Sequence, residues 1–239
     1  MFELFGKRIH ESADEIVGNG TVALLVVDVL NDFYHRDGFF PSGGWRTDEL
    51  EAMLRPLAEL LRACRSAGVL IIHAGNSILP EGRSDSAAFL RFKTRHIPPG
   101  TVPIYTIEGT WGAEFLDGYG PQDGELIVKK HRPSAFVGTD LDQLLRANEV
   151  TSVIVAGCVT EGCVQSTAVD AMFRDYFTIL PLDCVASYDP TRHANAVSYL
   201  APRVEIVGSQ EVIDALTRQR SAVGMKNVGE AVAATGGSS

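Results

Sequence analysis

Residues Val22-Ala23-Leu24-Leu25-Val26-Val27 are apolar at every position and stop abruptly at Asp28. Side chains of a strand alternate between the two faces of its sheet, so a run with no polar position belongs to a strand covered on both faces. Five further runs have strand character: Val69-Leu70-Ile71-Ile72, Glu125-Leu126-Ile127-Val128, Val153-Ile154-Val155-Ala156, Phe177-Thr178-Ile179-Leu180 closed by Pro181, and Val204-Glu205-Ile206-Val207. Helical patterns lie between them. Leu50, Met53, Leu54, Leu57, Leu61 and Cys64 mark one helix face, with Pro56 expected to bend or interrupt it. Asp189-Pro190 reads as a cap with proline at the first helical position, Thr139 with Asp142 as a capping box, and Ser209 with Glu211 as the start of a last helix. Strands alternating with helices imply right-handed crossovers. The expectation is an α/β, Rossmann-like three-layer sandwich, with a central six-stranded, mainly parallel sheet and helices on both faces.

A chain of 239 residues, 45% hydrophobic, buries a large core as one unit. The reading assigns residues 1–20 to an N-terminal extension, 21–220 to a single domain and 221–239, rich in Gly, Ala and Ser, to a flexible tail. Residues 77–124 form a proline- and glycine-rich insertion of the kind that serves as a lid. It carries Phe89, Phe92, Trp111 and Phe115 together with Arg83, Arg91, Lys93 and Arg95, the ingredients of an aromatic wall and a carboxylate clamp.

The net charge of −9, with no basic stripe, argues against nucleic acid or an anionic membrane surface as partner. No apolar run approaches the ~20 residues a membrane helix needs. Four cysteines, at 64, 158, 163 and 184, show no paired framework, and the N-terminal stretch with Asp14 and Glu15 is no signal peptide, so a cytoplasmic location is expected. Neither G-x-G-x-x-G nor G-x-x-x-x-G-K-[ST] occurs. No cofactor is expected. A homo-oligomer, dimer or tetramer, is.

Chemistry concentrates at strand ends. The run Val153 to Ala156 passes through Gly157-Cys158-Val159-Thr160-Glu161-Gly162 into a helix opening near Cys163. Free N–H groups and the positive end of the dipole at a helix start favour a thiolate, and the same N–H groups can hold an oxyanion. By position alone such a cysteine is more often a small packing residue, so its partners decide. Asp28 ends one strand and Lys129-Lys130 another, and the crevice beyond the carboxyl ends of parallel strands is where ligands bind.

Three motifs in order, Val27-Asp28-Val29-Leu30-Asn31-Asp32-Phe33, Lys130-His131-Arg132-Pro133-Ser134-Ala135-Phe136 and Gly157-Cys158-Val159-Thr160-Glu161-Gly162-Cys163-Val164, resemble those of the isochorismatase-like cysteine hydrolases over about residues 20–210. The turn at Thr160-Glu161-Gly162-Cys163, backed by Thr167-Ala168-Val169-Asp170-Ala171, looks closest to the N-carbamoylsarcosine amidase and maleamate amidohydrolase branch. The resemblance implies that Asp28, Lys130 and Cys163 are catalytic, that the Cys158–Val159 peptide is cis, and that the N–H groups of Val159 and Cys163 form an oxyanion hole. Many relatives have glutamine where this chain has Leu30. Nicotinamidases carry an acidic residue and histidines for a metal after the second strand; here His73-Ala74-Gly75-Asn76 lacks that spacing, and His10, His35, His96, His131 and His193 stand singly, so no metal is expected.

The implied activity is hydrolysis of a C–N bond in a small amide or N-carbamoyl compound, through a thioester and with release of ammonia. Phe33, Trp111 and Arg95 are the expected substrate-binding residues, with Lys93 and Arg95 favouring a carboxylate-bearing substrate. The alternatives are vinyl-ether cleavage of the isochorismatase type, which needs no cysteine nucleophile, and a non-catalytic binding or assembly module on the same fold.

Overall fold

The structure is a computed structural model describing residues 1–95, 97–219 and 221; His96 and all of the expected tail except Ser221 lie outside the described residues. The chain runs through a hairpin, β1 (Phe2–Leu4) and β2 (Lys7–Ile9), then α1 (Ala13–Asn19), β3 (Val22–Val27), two short helices α2 (Asn31–Tyr34) and α3 (Phe39–Ser42), and α4 (Asp48–Ala67). There follow β4 (Leu70–Asn76), α5 (Ala87–Thr94), β5 (Leu126–Lys130), α6 (Leu141–Ala147), β6 (Ser152–Cys158), α7 (Gln165–Met172), β7 (Phe177–Pro181), β8 (Val185–Ala186), α8 (Pro190–Leu200) and β9 (Glu205–Val207). Residues 209–219 are helical.

The main sheet has the order β5-β4-β3-β6-β7-β9, every pairing parallel, and helices cover both faces. The all-apolar β3 is explained residue by residue. Val22, Leu24 and Val26 enter one core with Leu50, Leu57 and Leu61 of α4, while Ala23, Leu25 and Val27 enter the other with Leu141 and Leu145 of α6 and Ala168 and Ala171 of α7. The six expected strands all form. A seventh, β8, pairs Val185 and Ala186 with Gly157 and Cys158, continuing along β6 where β7 has ended. Two residues carry no periodicity, so nothing in the sequence marked it.

Three local expectations need correction. Pro56 does not interrupt α4, which continues to Ala67 and caps on Gly68 in the left-handed region; buried Leu50, Met53, Leu57, Leu60, Leu61 and Cys64 on both sides of the proline hold it to the sheet. Thr139 makes no capping box: Asp140 is the cap residue of α6, and Thr139 Oγ1 accepts the N–H of Leu141. Residues 1–20 are not merely an extension, because Ala13, Ile16 and Val17 of α1 are buried against the same core as Val212, Ala215 and Leu216. The Asp189 cap does form, accepting from the N–H groups of Thr191 and Arg192.

Strand order places the site. β4 and β5 lie on one side of β3, and β6 on the other, so the chain reverses its direction of travel across the sheet between β3 and β6. At such a switch point the loops leaving the two strands part and open a crevice. Gly157, beside Val27 in the parallel register, lets the two strands approach there: its φ is +122°, and a Cβ would sit 2.0 Å from the Val27 carbonyl oxygen. Gly157→Ala is therefore expected to cost about 3 kcal/mol or more, from a backbone clash added to a disallowed φ. Urea unfolding at equilibrium checks it; a loss below 1 kcal/mol would mean that β3 and β6 separate freely.

Candidate active site

Asp28 follows β3 with a φ of +56°, a left-handed conformation that aspartate tolerates better than most residues. Three contacts hold this turn. The Asp28 N–H donates to the Ala74 carbonyl at 2.9 Å, the Cys158 thiol donates to the Asp28 carbonyl at 3.3 Å, and the Asn76 N–H donates to Asp28 Oδ1 at 2.6 Å. The remaining carboxylate oxygen, Oδ2, accepts from Lys130 Nζ at 2.7 Å, with both side chains fully buried. Lys130 reaches Asp28 because β5 pairs it with Asn76 at the end of β4. Lys129, one residue earlier, points the other way and lies exposed, paired with Glu108 at 2.6 Å.

Cys163 enters from the far side of β3. After β6 the Cys158–Val159 peptide is cis, Thr160–Val164 form a π-helical turn, and α7 begins at Gln165. The cysteine therefore sits within the turn ahead of α7, where its thiol feels both the Asp28 carboxylate and the Lys130 ammonium. Its pKa is pushed up to about 12, chiefly by burial and then by the Asp28 carboxylate, against the pull of Lys130. The dipole at a helix start and the ammonium favour the anion, but desolvation and a neighbouring negative charge outweigh them here. Burial would also lower the Lys130 pKa, yet Asp28 and Cys163 together hold it above the ordinary lysine value. Lys130 is thus biased toward its charged form and the Cys163 thiol toward its neutral one.

The cluster opens onto a cavity of about 560 Å³ lined by Cys163, Val159 and Asn76, with an aromatic wall. Phe33 lines it, stacked on Phe40 at 5.0 Å between centroids; Phe40 in turn meets Tyr105 at 5.0 Å and Tyr188 at 5.2 Å. Asp32 ties this wall together, accepting from the Phe39 N–H at 3.0 Å and from the Thr106 N–H at 2.5 Å.

Two expected substrate contacts are not brought to the cavity. Trp111 lies on the outer surface against His35, its carbonyl accepting from Asn31 Nδ2, because the insertion folds back along the segment after β3, where Phe115 bridges Leu30. Arg95 caps the end of α5 and is exposed. Lys93 does line the cavity, but it is buried in an ion pair with Asp85 at 2.8 Å and lies over the Tyr105 ring, so no carboxylate clamp is assembled. Leu30 is fully buried in the core and does not line the cavity. Sequence reasoning missed Asn76, Tyr105, Tyr188 and Glu161. Asn76 was within reach, as the last residue of a strand beside β3; Tyr105 and Tyr188 sit on loops with no periodic signal.

The other three cysteines are fully buried and away from the cavity, their thiols also raised by burial. Iodoacetamide should therefore modify Cys163 well ahead of Cys64, Cys158 and Cys184, as read by peptide mass spectrometry at partial labelling. The pH dependence of that rate tests the electrostatics. Asp28→Asn removes the charge and the acceptor that favour the neutral thiol, so the rising limb should move to lower pH, whereas Lys130→Met should move it higher; an unmoved limb in both variants would rule out the coupling.

The isochorismatase domain profile matches residues 22–212. The chain is 29% identical over 195 residues to maleamate amidohydrolase of Pseudomonas putida, covering 81% of this chain and 86% of that protein. It is 27% identical to ureidoacrylate amidohydrolase of Methylorubrum extorquens, covering 71% of each. The crystal structure of N-carbamoylsarcosine amidase from Thermoplasma acidophilum superposes with a TM-score of 0.63 at 28% identity, covering 79% of this chain and 96% of that one. The doubly covered parallel sheet and the sequence likeness thus converge: the chain belongs to the isochorismatase family and is an isochorismatase-like cysteine hydrolase.

Proposed function

We propose that this hydrolase cleaves the C–N bond of a small amide or N-carbamoyl compound, with Cys163 as nucleophile, Asp28 as proton shuttle and Lys130 as the cation that fixes both. The observation that carries this reading is the meeting of thiol, carboxylate and ammonium at one end of an aromatic cavity sized for a small molecule. The relatives named for maleamate, ureidoacrylate and N-carbamoylsarcosine support an amide or carbamoyl carbon as the target.

The neutral thiol shapes the chemistry. A thiol held near pKa 12 is a poor nucleophile until its proton leaves, so proton transfer to Asp28 accompanies attack of Sγ on the carbonyl carbon. The carbonyl π electrons move to oxygen, and the oxyanion is received by the N–H groups of Val159 and Cys163. Lys130 stays charged throughout and limits the cost of negative charge moving between Asp28 and sulfur. Asp28 then protonates the departing nitrogen, the C–N bond breaks, ammonia leaves and a thioester remains. Water, deprotonated by Asp28, attacks the thioester, releasing the acid and returning the proton to sulfur.

The adjacent lysines give a direct test, with ammonia release from a panel of small amides and ureas as the assay. Lys129→Met should retain most activity and Lys130→Met should lose it. Lys130→Met also leaves the Asp28 charge buried without a partner, a loss of roughly 3–5 kcal/mol by urea unfolding that Asp28→Asn in the same chain should largely restore. Restored stability without restored turnover separates the chemical role from the structural one; an active Cys163→Ala variant would sink the nucleophile assignment.

A further inference from the structure

Among the described residues the cavity wall carries three cations, Arg46, Lys93 and Arg192, and each has a carboxylate within ion-pair distance. Arg46 pairs with Asp48 at 3.2 Å, Lys93 with Asp85 at 2.8 Å, and Arg192 with Asp189 at 3.4 Å. Glu161, also in the wall, has no cation within ion-pair distance among the described residues. Its Oε1 accepts a hydrogen bond from Ser187 Oγ at 2.9 Å, while Oε2 is buried and receives no hydrogen bond from the described residues. With Asp28 and Lys130 compensating each other, Glu161 is the wall carboxylate that no cation among the described residues offsets. Holding such an oxygen away from water without a donor is costly, and the cost falls when a donor arrives.

The position of Glu161 fixes where that donor comes from. It shares the turn Thr160–Val164 with Cys163, two residues before the thiol. Whatever carbon Cys163 attacks, the rest of the molecule lies in a cavity that Glu161 helps to line. The terminal torsion of a glutamate is soft, so the carboxyl group turns to meet a donor without displacing the turn that carries the nucleophile. Resting on the amidase reading above, we propose that Glu161 is a specificity-determining residue that binds an N–H donor at the remote end of the substrate. The substrate class is then small amides bearing an ammonium or similarly donor-rich group, in place of the carboxylate-bearing amides that the composition of the insertion suggested. Arg95 is outside the cavity and Lys93 is already paired, so neither opposes this choice.

The test uses three amides of similar length, 4-aminobutyramide, pentanamide and succinamate, carrying an ammonium, a methyl group and a carboxylate. Calorimetry on the full-length Cys163→Ala variant measures binding without turnover. The expected order of affinity is ammonium over methyl over carboxylate, with about tenfold or more between the first and last, as a charge-assisted hydrogen bond supplies. Glu161→Gln in the same background, isosteric but uncharged, should remove most of that difference while leaving Tm unchanged or higher. Equal affinities, tighter binding of succinamate, no binding of any of the three, or a preference that survives Glu161→Gln would each overturn the proposal. Ammonia release by the unmodified chain is read separately: selective binding without hydrolysis would count against the amidase reading and leave the assignment of Glu161 standing.

Discussion

The structure is organised around the contact between Lys130 Nζ and Asp28 Oδ2, 2.7 Å long and fully buried. Burying either charge alone would cost several kcal/mol, so the pair exists only where the backbone delivers both side chains to one point. Three strands are committed to that delivery. β3 ends at Asp28, β5 ends at Lys130, and β4 between them supplies the Asn76 N–H for the other carboxylate oxygen. The left-handed turn at Asp28 and the glycine at 157 follow from the same demand, since both let the chain leave β3 and β6 without closing the space above the pair.

The pair also sets the state of the Cys163 thiol. Asp28 disfavours the Cys163 thiolate and Lys130 favours it, and with desolvation added the neutral thiol prevails. Under the proposed mechanism, a thiol kept protonated until a carbonyl is in reach is released at the moment of use, with one carboxylate placed to accept and return the proton. Helix-dipole arguments made from sequence point the opposite way because they contain the dipole and omit the desolvation.

The cavity is assembled from pieces distant in the chain. Phe33 and Phe40 come from the two short helices after β3, Tyr105 from the insertion and Tyr188 from the segment before α8, with Asp32 binding the Phe39 and Thr106 N–H groups so that the first two pieces move as one. The insertion is folded onto the body: its Phe115 bridges Leu30, and the Leu116 N–H donates to the Val29 carbonyl at 2.9 Å. That path draws Phe33 inward and leaves Trp111 on the surface, although both are aromatic residues near the same loop.

What the sequence determined by itself was the part governed by local pattern. Apolar runs such as Val22–Val27 specify strands buried on both faces, and strand-terminal Asp28 and Lys130 with Cys163 after Gly157 specify which side chains stand at the carboxyl edge of the sheet, because period and chain direction decide both. The tertiary structure alone decided the quantities that depend on neighbours distant in sequence. These are the raised pKa of Cys163, the neutralisation of Lys93 by Asp85, the exclusion of Trp111 and Arg95 from the cavity, and the unmatched carboxylate of Glu161. Charge, exposure and solvation are properties of packed surroundings, and a linear pattern records which groups are present without recording what surrounds each of them.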